Sequence, residues 1–241
     1  MVELRALSKT FNGVKAVSDL SFTVRQGEIV GLLGENGAGK TTTLRMLATM
    51  LKPTAGTATV AGHDIITAPA AVRSQIGILF GGESGLYDRL TARENITYFA
   101  QLNGMDRNTT AARVNALSVL FGMEEYIDRR VGTFSRGMRQ KTALARSVVH
   151  RPAVMLFDEP TTGLDVSSSL IVQDFITRCR EEKRAILFSS HKTDEIEKLC
   201  DRVIIIHQGR LLEDMSVSAL LQKHGRKLGE IFLSRIGEGD A

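Results

Sequence analysis

The stretch Ile29-Val30-Gly31-Leu32-Leu33-Gly34-Glu35-Asn36-Gly37-Ala38-Gly39-Lys40-Thr41-Thr42 decides how this chain is read. Its first five residues form an apolar run closed by a glycine, as in a strand covered on both faces. Residues 40–51 then read as a helix stopped by Pro53 and Gly56. Between strand and helix stand a glycine, four residues, and Gly-Lys-Thr, the spacing of a phosphate-binding loop in the setting it requires. Glycine lets the backbone approach an anion closely, so that N–H groups and the helix N-terminus face phosphate. Lys40 adds a point charge, and the hydroxyl of Thr41 suits Mg²⁺. Gly34, Glu35, Asn36, Gly37, Ala38, Gly39, Lys40, Thr41 and Thr42 are therefore the expected binding segment for ATP with its Mg²⁺.

Working outward, residues 57–61 alternate as a half-exposed strand that turns at Gly62, and with Leu4, Leu7, Phe22 and Val24 they suggest a small antiparallel sheet. Residues 76–80 are a further short apolar strand. From 91 to 149 the periodicity is helical. Thr91 and Glu94 have the spacing of a capping box, and Val114, Leu117 and Phe121 share one helix face. Apolar strands return at 154–157, 185–188 and 203–206, separated by helices near 169–179 and 194–199. Strands alternating with helices predict a parallel sheet interrupted once by a helical lobe. The fold class is thus α/β: a phosphate-loop (RecA-like) parallel core, an N-terminal antiparallel β subdomain and an inserted helical subdomain. One domain is expected, with its core in 1–80 and 151–225, the helical subdomain in 81–150 and a C-terminal tail in 226–241.

The run at 154–157 ends in Asp158-Glu159. Acidic side chains at the carboxyl end of a central strand meet a bound nucleotide, so Asp158 is expected to hold Mg²⁺ and Glu159 to polarise the attacking water. Ser189-Ser190-His191 follows another strand end, which brings His191 to the same sheet edge, within reach of a γ-phosphate.

Composition narrows the alternatives. The chain has 241 residues, a net charge of +4, no Trp and 5% aromatic residues, so its basic groups lack the interleaved rings of a nucleic-acid stacking surface. No window approaches the roughly 18 apolar residues of a membrane-spanning helix, and Met1-Val2-Glu3 opens no signal segment, so a cytosolic location is expected. Cys179 and Cys200 stand singly among apolar residues and read as buried thiols.

The order of residues 34–41, then Phe134-Ser135-Arg136-Gly137-Met138-Arg139-Gln140, then Asp158-Glu159-Pro160-Thr161-Thr162-Gly163-Leu164-Asp165, then His191, resembles the ATP-binding cassette (ABC) transporter ATPases over most of the chain. The resemblance implies that Lys40 and Thr41 serve phosphate and Mg²⁺, that Asp158 serves Mg²⁺, and that Glu159 is the base. It also implies that Ser135 and Gly137 complete the site of a second copy, so that two cassettes close head to tail on two ATP molecules. Asp165 would lie at that seam, His191 would sense the γ-phosphate, and Phe11 would stack on adenine. Further implied are a separate membrane permease docked on the helical lobe, a peripheral location on the cytoplasmic face of the membrane, and no nucleic-acid partner.

Two positions depart from the family pattern. Arg136 stands where a second glycine is usual, and Gly81-Gly82-Glu83 stands where a glutamine normally contacts Mg²⁺ and couples to the permease, which makes Glu83 the nearest substitute metal ligand. The stretch Gly85-Leu86-Tyr87-Asp88-Arg89-Leu90-Thr91-Ala92-Arg93-Glu94-Asn95 resembles cassettes that serve exporters of sodium and antibiotics. Two rivals lack support. A soluble ABC ATPase acting on nucleic acid or ribosomes usually fuses two cassettes or carries long coiled-coil insertions, and an unrelated phosphate-loop kinase or GTPase would lack the Ser135 to Gly137 stretch.

Overall fold

The computed structural model describes residues 1–80 and 85–239. In chain order its elements are strands β1 (Val2–Phe11), β2 (Val14–Val24) and β3 (Ile29–Leu33), helix α1 (Lys40–Leu47), strands β4 (Ala55–Val60) and β5 (His63–Asp64), helix α2 (Pro69–Gln75), strand β6 (Ile76–Phe80) and helices α3 (Ala92–Leu102), α4 (Arg107–Leu120) and α5 (Arg136–Val148). Strand β7 (Val154–Asp158), helix α6 (Val166–Glu181), strand β8 (Ala185–Ser190), helix α7 (Thr193–Leu199), strands β9 (Arg202–His207) and β10 (Arg210–Ser216), and helices α8 (Val217–His224) and α9 (Leu228–Gly239) follow. The chain divides into two compact units. The first takes Met1–Ile76, Ala153–Glu159 and everything from Ile176 onward; the second takes Gly77–Pro152 and Pro160–Phe175.

The first unit contains two sheets. One is antiparallel, in the order β2-β1-β4-β5, as the alternating residues near the N-terminus predict. Val2 and Leu4 are buried, and the next buried residue is Leu7, because a register shift between Leu4 and Leu7 with Ala6 at φ 47° offsets the pleat. The second sheet holds β10-β9-β3-β8-β7 in that order, with β3 parallel to both of its neighbours. All five residues of β3 are buried, which explains its unbroken apolar run. Because Leu33 pairs with Ser190 and Asp158 with Ser189, the carboxyl ends of β3, β7 and β8 lie side by side. Ligands of open α/β sheets bind at that edge.

Several boundaries differ from the sequence reading. Helix α1 stops at Leu47 rather than at residue 51, because Thr49 adopts φ 59° and the Met50 N–H returns to the Arg45 carbonyl at 2.9 Å, a Schellman closure. β10 was not anticipated; it follows β9 through Gln208-Gly209, both at positive φ, the two-residue turn that a right-twisted hairpin needs. Residues 226–241, read as a tail, carry α9, which buries Ile231, Phe232 and Ile236.

The second unit is helical. The Thr91 hydroxyl accepts the Glu94 N–H at 3.1 Å and the Glu94 carboxylate accepts the Thr91 N–H at 2.7 Å, so the expected capping box starts α3. Val114, Leu117 and Phe121 are buried together, with Phe121 packing on Phe175 at a ring-centroid distance of 5.1 Å. Burying side chains of this size contributes about 1.5–3 kcal/mol each. Arg93 of α3 is tied to Asp128 at 2.6 Å.

Candidate functional site

In the first unit, the loop between β3 and α1 wraps a buried cation. The Lys40 ammonium, 5% exposed, donates to the carbonyls of Gly34 at 2.6 Å and Glu35 at 3.0 Å. Burial lowers the pKa of Lys40, and the nearby carboxylates of Glu159, Asp158 and Glu35 oppose that shift. Gly39 adopts φ 102°, and a Cβ there would lie 2.6 Å from the Ala16 carbonyl oxygen, so only glycine lets the chain turn into α1 at this point. No side chain caps α1 and no acidic residue stands in its first turn, which leaves its leading N–H groups for an anion. Glu35, Asn36 and Gly37 are exposed, Ala38 is buried, and Thr41 and Thr42 are half-buried. Glu35 also lies 3.7 Å from Nδ1 of the buried His207, a contact that the sequence does not suggest.

At the end of β7, Asp158 is buried and accepts the Ser189 hydroxyl at 2.5 Å. Glu159 adopts φ 48°, an uncommon conformation for a residue with a side chain. Its N–H donates to the Ser189 carbonyl at 3.0 Å and to the Ser189 hydroxyl at 3.2 Å. The Glu159 carboxylate then lies 3.8 Å from the Lys40 ammonium and 3.1 Å from Nδ1 of the exposed His191. The structure thus brings together Lys40, Asp158, Glu159 and His191, four residues singled out from three separate stretches. Phe11, at the end of β1, is 44% exposed and carries the Lys9 ammonium 5.0 Å from its ring centroid, so it is no core residue.

Among the described residues, no group of three or more His, Cys, Asp and Glu side chains is arranged to hold a metal ion. Asp158, buried at the end of β7, and Thr41, half-buried in the first turn of α1, each offer a hard oxygen donor. Such a set fits Mg²⁺, which takes one or two protein oxygens and completes its shell with phosphate and water. Glu83 and its neighbours Gly81 and Gly82 lie outside the described residues.

The second unit carries the remaining candidates. Ser135 caps α5, accepting the Met138 N–H at 3.3 Å, so the helix begins at Arg136 and Gly137 sits in its first turn. A Cβ at Gly137 would lie 2.8 Å from the Ser168 hydroxyl, so its glycine permits close packing beneath the first turn of α6. Asp165 is exposed and engaged locally. It accepts the Ser168 N–H at 2.8 Å and the hydroxyls of Ser167 and Ser168 at 2.7 and 3.0 Å, bonds that hold its pKa down to about 2. Arg136 donates to the Thr162 carbonyl at 3.0 Å, and Gln140, one turn further along α5, donates to the Pro160 carbonyl at 2.6 Å. Neither of these two contacts, nor the part played by Ser189, is legible in the sequence, where the only trace is a pair of hydroxyl residues, Ser189-Ser190, closing an apolar run.

Comparison with known proteins identifies the family. The family model described as ABC transporter matches residues 17–162. The chain is 50% identical over 244 residues to the ABC transporter ATP-binding protein NatA of Bacillus subtilis, covering 99% of each. It is 35% identical over 242 residues to the doxorubicin resistance ATP-binding protein DrrA of Mycobacterium tuberculosis, covering 100% of this chain and 73% of that protein. A solved structure described as the ATP-binding subunit of an ABC transporter superposes with a TM-score of 0.90 at 26% identity, covering 98% of this chain and 99% of that one. With a phosphate loop, a buried lysine and two acidic residues meeting at one sheet edge, and with half of its residues identical to NatA over 99% of both chains, the chain belongs to the ABC transporter family as an ATP-binding subunit, an ATPase of the cassette type.

Proposed function

We propose that this chain closes head to tail on a second copy around Mg·ATP and, from the cytoplasmic face of the membrane, drives a separate permease that works as an exporter. The observation that carries the reading is the position of the Glu159 carboxylate, 3.8 Å from Lys40 and 3.1 Å from His191. A base must lie within hydrogen-bond reach of the proton it takes, and Lys40 marks where the terminal phosphates sit.

In this reading the N–H groups of residues 34–39 and the start of α1 bind the β- and γ-phosphates, and Lys40 exchanges part of its contact with the Gly34 and Glu35 carbonyls for phosphate oxygens. Phe11 stacks on adenine. Thr41 and Asp158 would hold Mg²⁺, which would supply positive charge to the transferring group. Glu159 takes the proton of the attacking water, and His191 steadies that carboxylate while sensing the γ-phosphate.

Ser135 and Gly137 would reach the ATP of the second copy, since a helix N-terminus suits phosphate, and Asp165 would stand at the seam. Closure on ATP and reopening after hydrolysis is then a population shift biased by γ-phosphate contacts. Export is supported by the stretch 85–95 and by the likeness to a protein named for doxorubicin resistance. No helix among the described residues is long and apolar enough to cross a membrane.

Glu159→Gln tests the reading. With ATP the variant is expected to elute at twice the monomer mass while turnover falls by about a hundredfold or more, the contribution of a general base. Parental turnover in that variant would remove Glu159 from catalysis.

A further inference from the structure

We infer that Ser189 is a positioning residue for hydrolysis: its single hydroxyl holds both acidic residues at the end of β7, Asp158 by donating and Glu159 by accepting. The inference deepens the proposed function and rests on the roles given there to Asp158 and Glu159.

Ser189 is fully buried in β8, directly after four apolar residues, Ala185-Ile186-Leu187-Phe188. A hydroxyl there costs free energy unless it is paired, and an alanine or valine would occupy an apolar strand end without that cost. A serine hydroxyl offers one hydrogen and two lone pairs. The hydrogen goes to Asp158 Oδ1 at 2.5 Å, and a lone pair receives the Glu159 N–H at 3.2 Å. The same N–H also reaches the Ser189 carbonyl at 3.0 Å. The neighbouring hydroxyl of Ser190 is spent elsewhere, on Glu195 and the Lys192 N–H.

Two consequences follow for the chemistry. The bond to Oδ1 restricts the rotation of the Asp158 carboxylate and engages one of its two oxygens, so that Oδ2 is the one that would hold Mg²⁺ in the proposed function. The bonds to the Glu159 N–H hold a glutamate in a left-handed conformation, φ 48°, which persists only where its surroundings over-determine it. That conformation turns the chain so that the Glu159 carboxylate reaches Lys40 and His191. The parallel register pairing Asp158 with Ser189 makes one side chain able to do both.

The test uses the full chain with Ser189→Ala, Ser189→Thr, Ser189→Cys and Glu159→Gln in parallel. Turnover is measured at saturating Mg·ATP, and ATP affinity is measured by calorimetry with Mg²⁺ and with chelator. Ser189→Ala is expected to lower turnover by roughly ten- to hundredfold, as loss of an orienting partner does at metal sites, and to lower by about tenfold the gain in affinity that Mg²⁺ confers. Its metal-free affinity stays near the parent's, because the loop and Lys40 are untouched. Ser189→Thr, which keeps the hydroxyl, is expected to recover most of the turnover. Turnover and Mg²⁺ gain within about twofold of the parent in Ser189→Ala would overturn the inference, and a lower melting temperature alone would not rescue it. Should the alanine variant not fold, Ser189→Cys decides. A weak thiol donor should give reduced turnover, and parental turnover would overturn the inference. Retained turnover in Glu159→Gln would instead refute the underlying reading, whereas its loss beside a parental Ser189→Ala would refute Ser189 alone.

Discussion

Replacing Lys40 by alanine isolates what one ammonium contributes to nucleotide binding. In the structure the Nζ atom is held by two carbonyls of its own loop, at 2.6 and 3.0 Å, which fixes the ammonium within the phosphate loop. Burial lowers its pKa, which means that part of its hydration has been given up in advance. A charge-assisted hydrogen bond of this kind is worth about 1.5–3 kcal/mol. At about 2.7 kcal/mol, its loss weakens affinity roughly a hundredfold. With Mg·ATP at about 100 times the parental Kd, binding stabilises the parent by about 2.7 kcal/mol and the variant by only about 0.4 kcal/mol. A chain of this size converts each kcal/mol into roughly 2–4 °C of melting temperature. The parent should therefore melt about 5–11 °C higher with nucleotide than without, and Lys40→Ala only about 1–2 °C higher, each taken from its own nucleotide-free baseline. Scanning fluorimetry measures both shifts, and calorimetry checks the affinity. An equal nucleotide-induced shift in the two proteins would refute the assignment of Lys40 to phosphate.

Thr91→Ala removes both halves of the capping box of α3, because the hydroxyl that receives the Glu94 N–H is lost and the reciprocal bond loses its geometry; urea unfolding should show a loss of about 1 kcal/mol, and an unchanged midpoint would contradict the cap. Asp165 should titrate with a midpoint near 2, because its folded-state pKa is depressed chiefly by the Ser168 N–H; the stability it contributes is complete above its ordinary range near 3.8 and is lost as pH falls through about 2. A carboxyl carbon shift followed by NMR would show this, and a midpoint near 4 would mean that the bonds to Ser167 and Ser168 do not persist in solution.

Local pattern carried much of the fold. The strand Ile29–Leu33 and the strand Ile76–Phe80 stand where unbroken apolar runs predict them, and the capping box at Thr91 stands where its spacing predicts it. These features depend on neighbours within a few residues, which a sequence displays directly. Helix α1 ended early because Thr49, a residue with no obvious tendency toward φ 59°, closes it. β10 escaped notice because Arg210, Glu213 and Asp214 break its apolar alternation, although its pairing with β9 is antiparallel along its length.

From the sequence alone came the phosphate loop of residues 34–41, the acidic pair Asp158-Glu159 at a strand end, and the motif order that marks an ABC ATPase. Each is a matter of residue type and spacing along one line. Only the tertiary structure decided which side chains meet. Ser189 reaches Asp158 across 31 positions, Gln140 reaches Pro160 across 20, and His191 lies against Glu159 rather than standing alone. The physical reason is register. Parallel strands drawn from distant parts of the chain align their ends to within a residue, and a slip of one would turn Ser189 to the opposite face of the sheet and leave Asp158 buried without its donor.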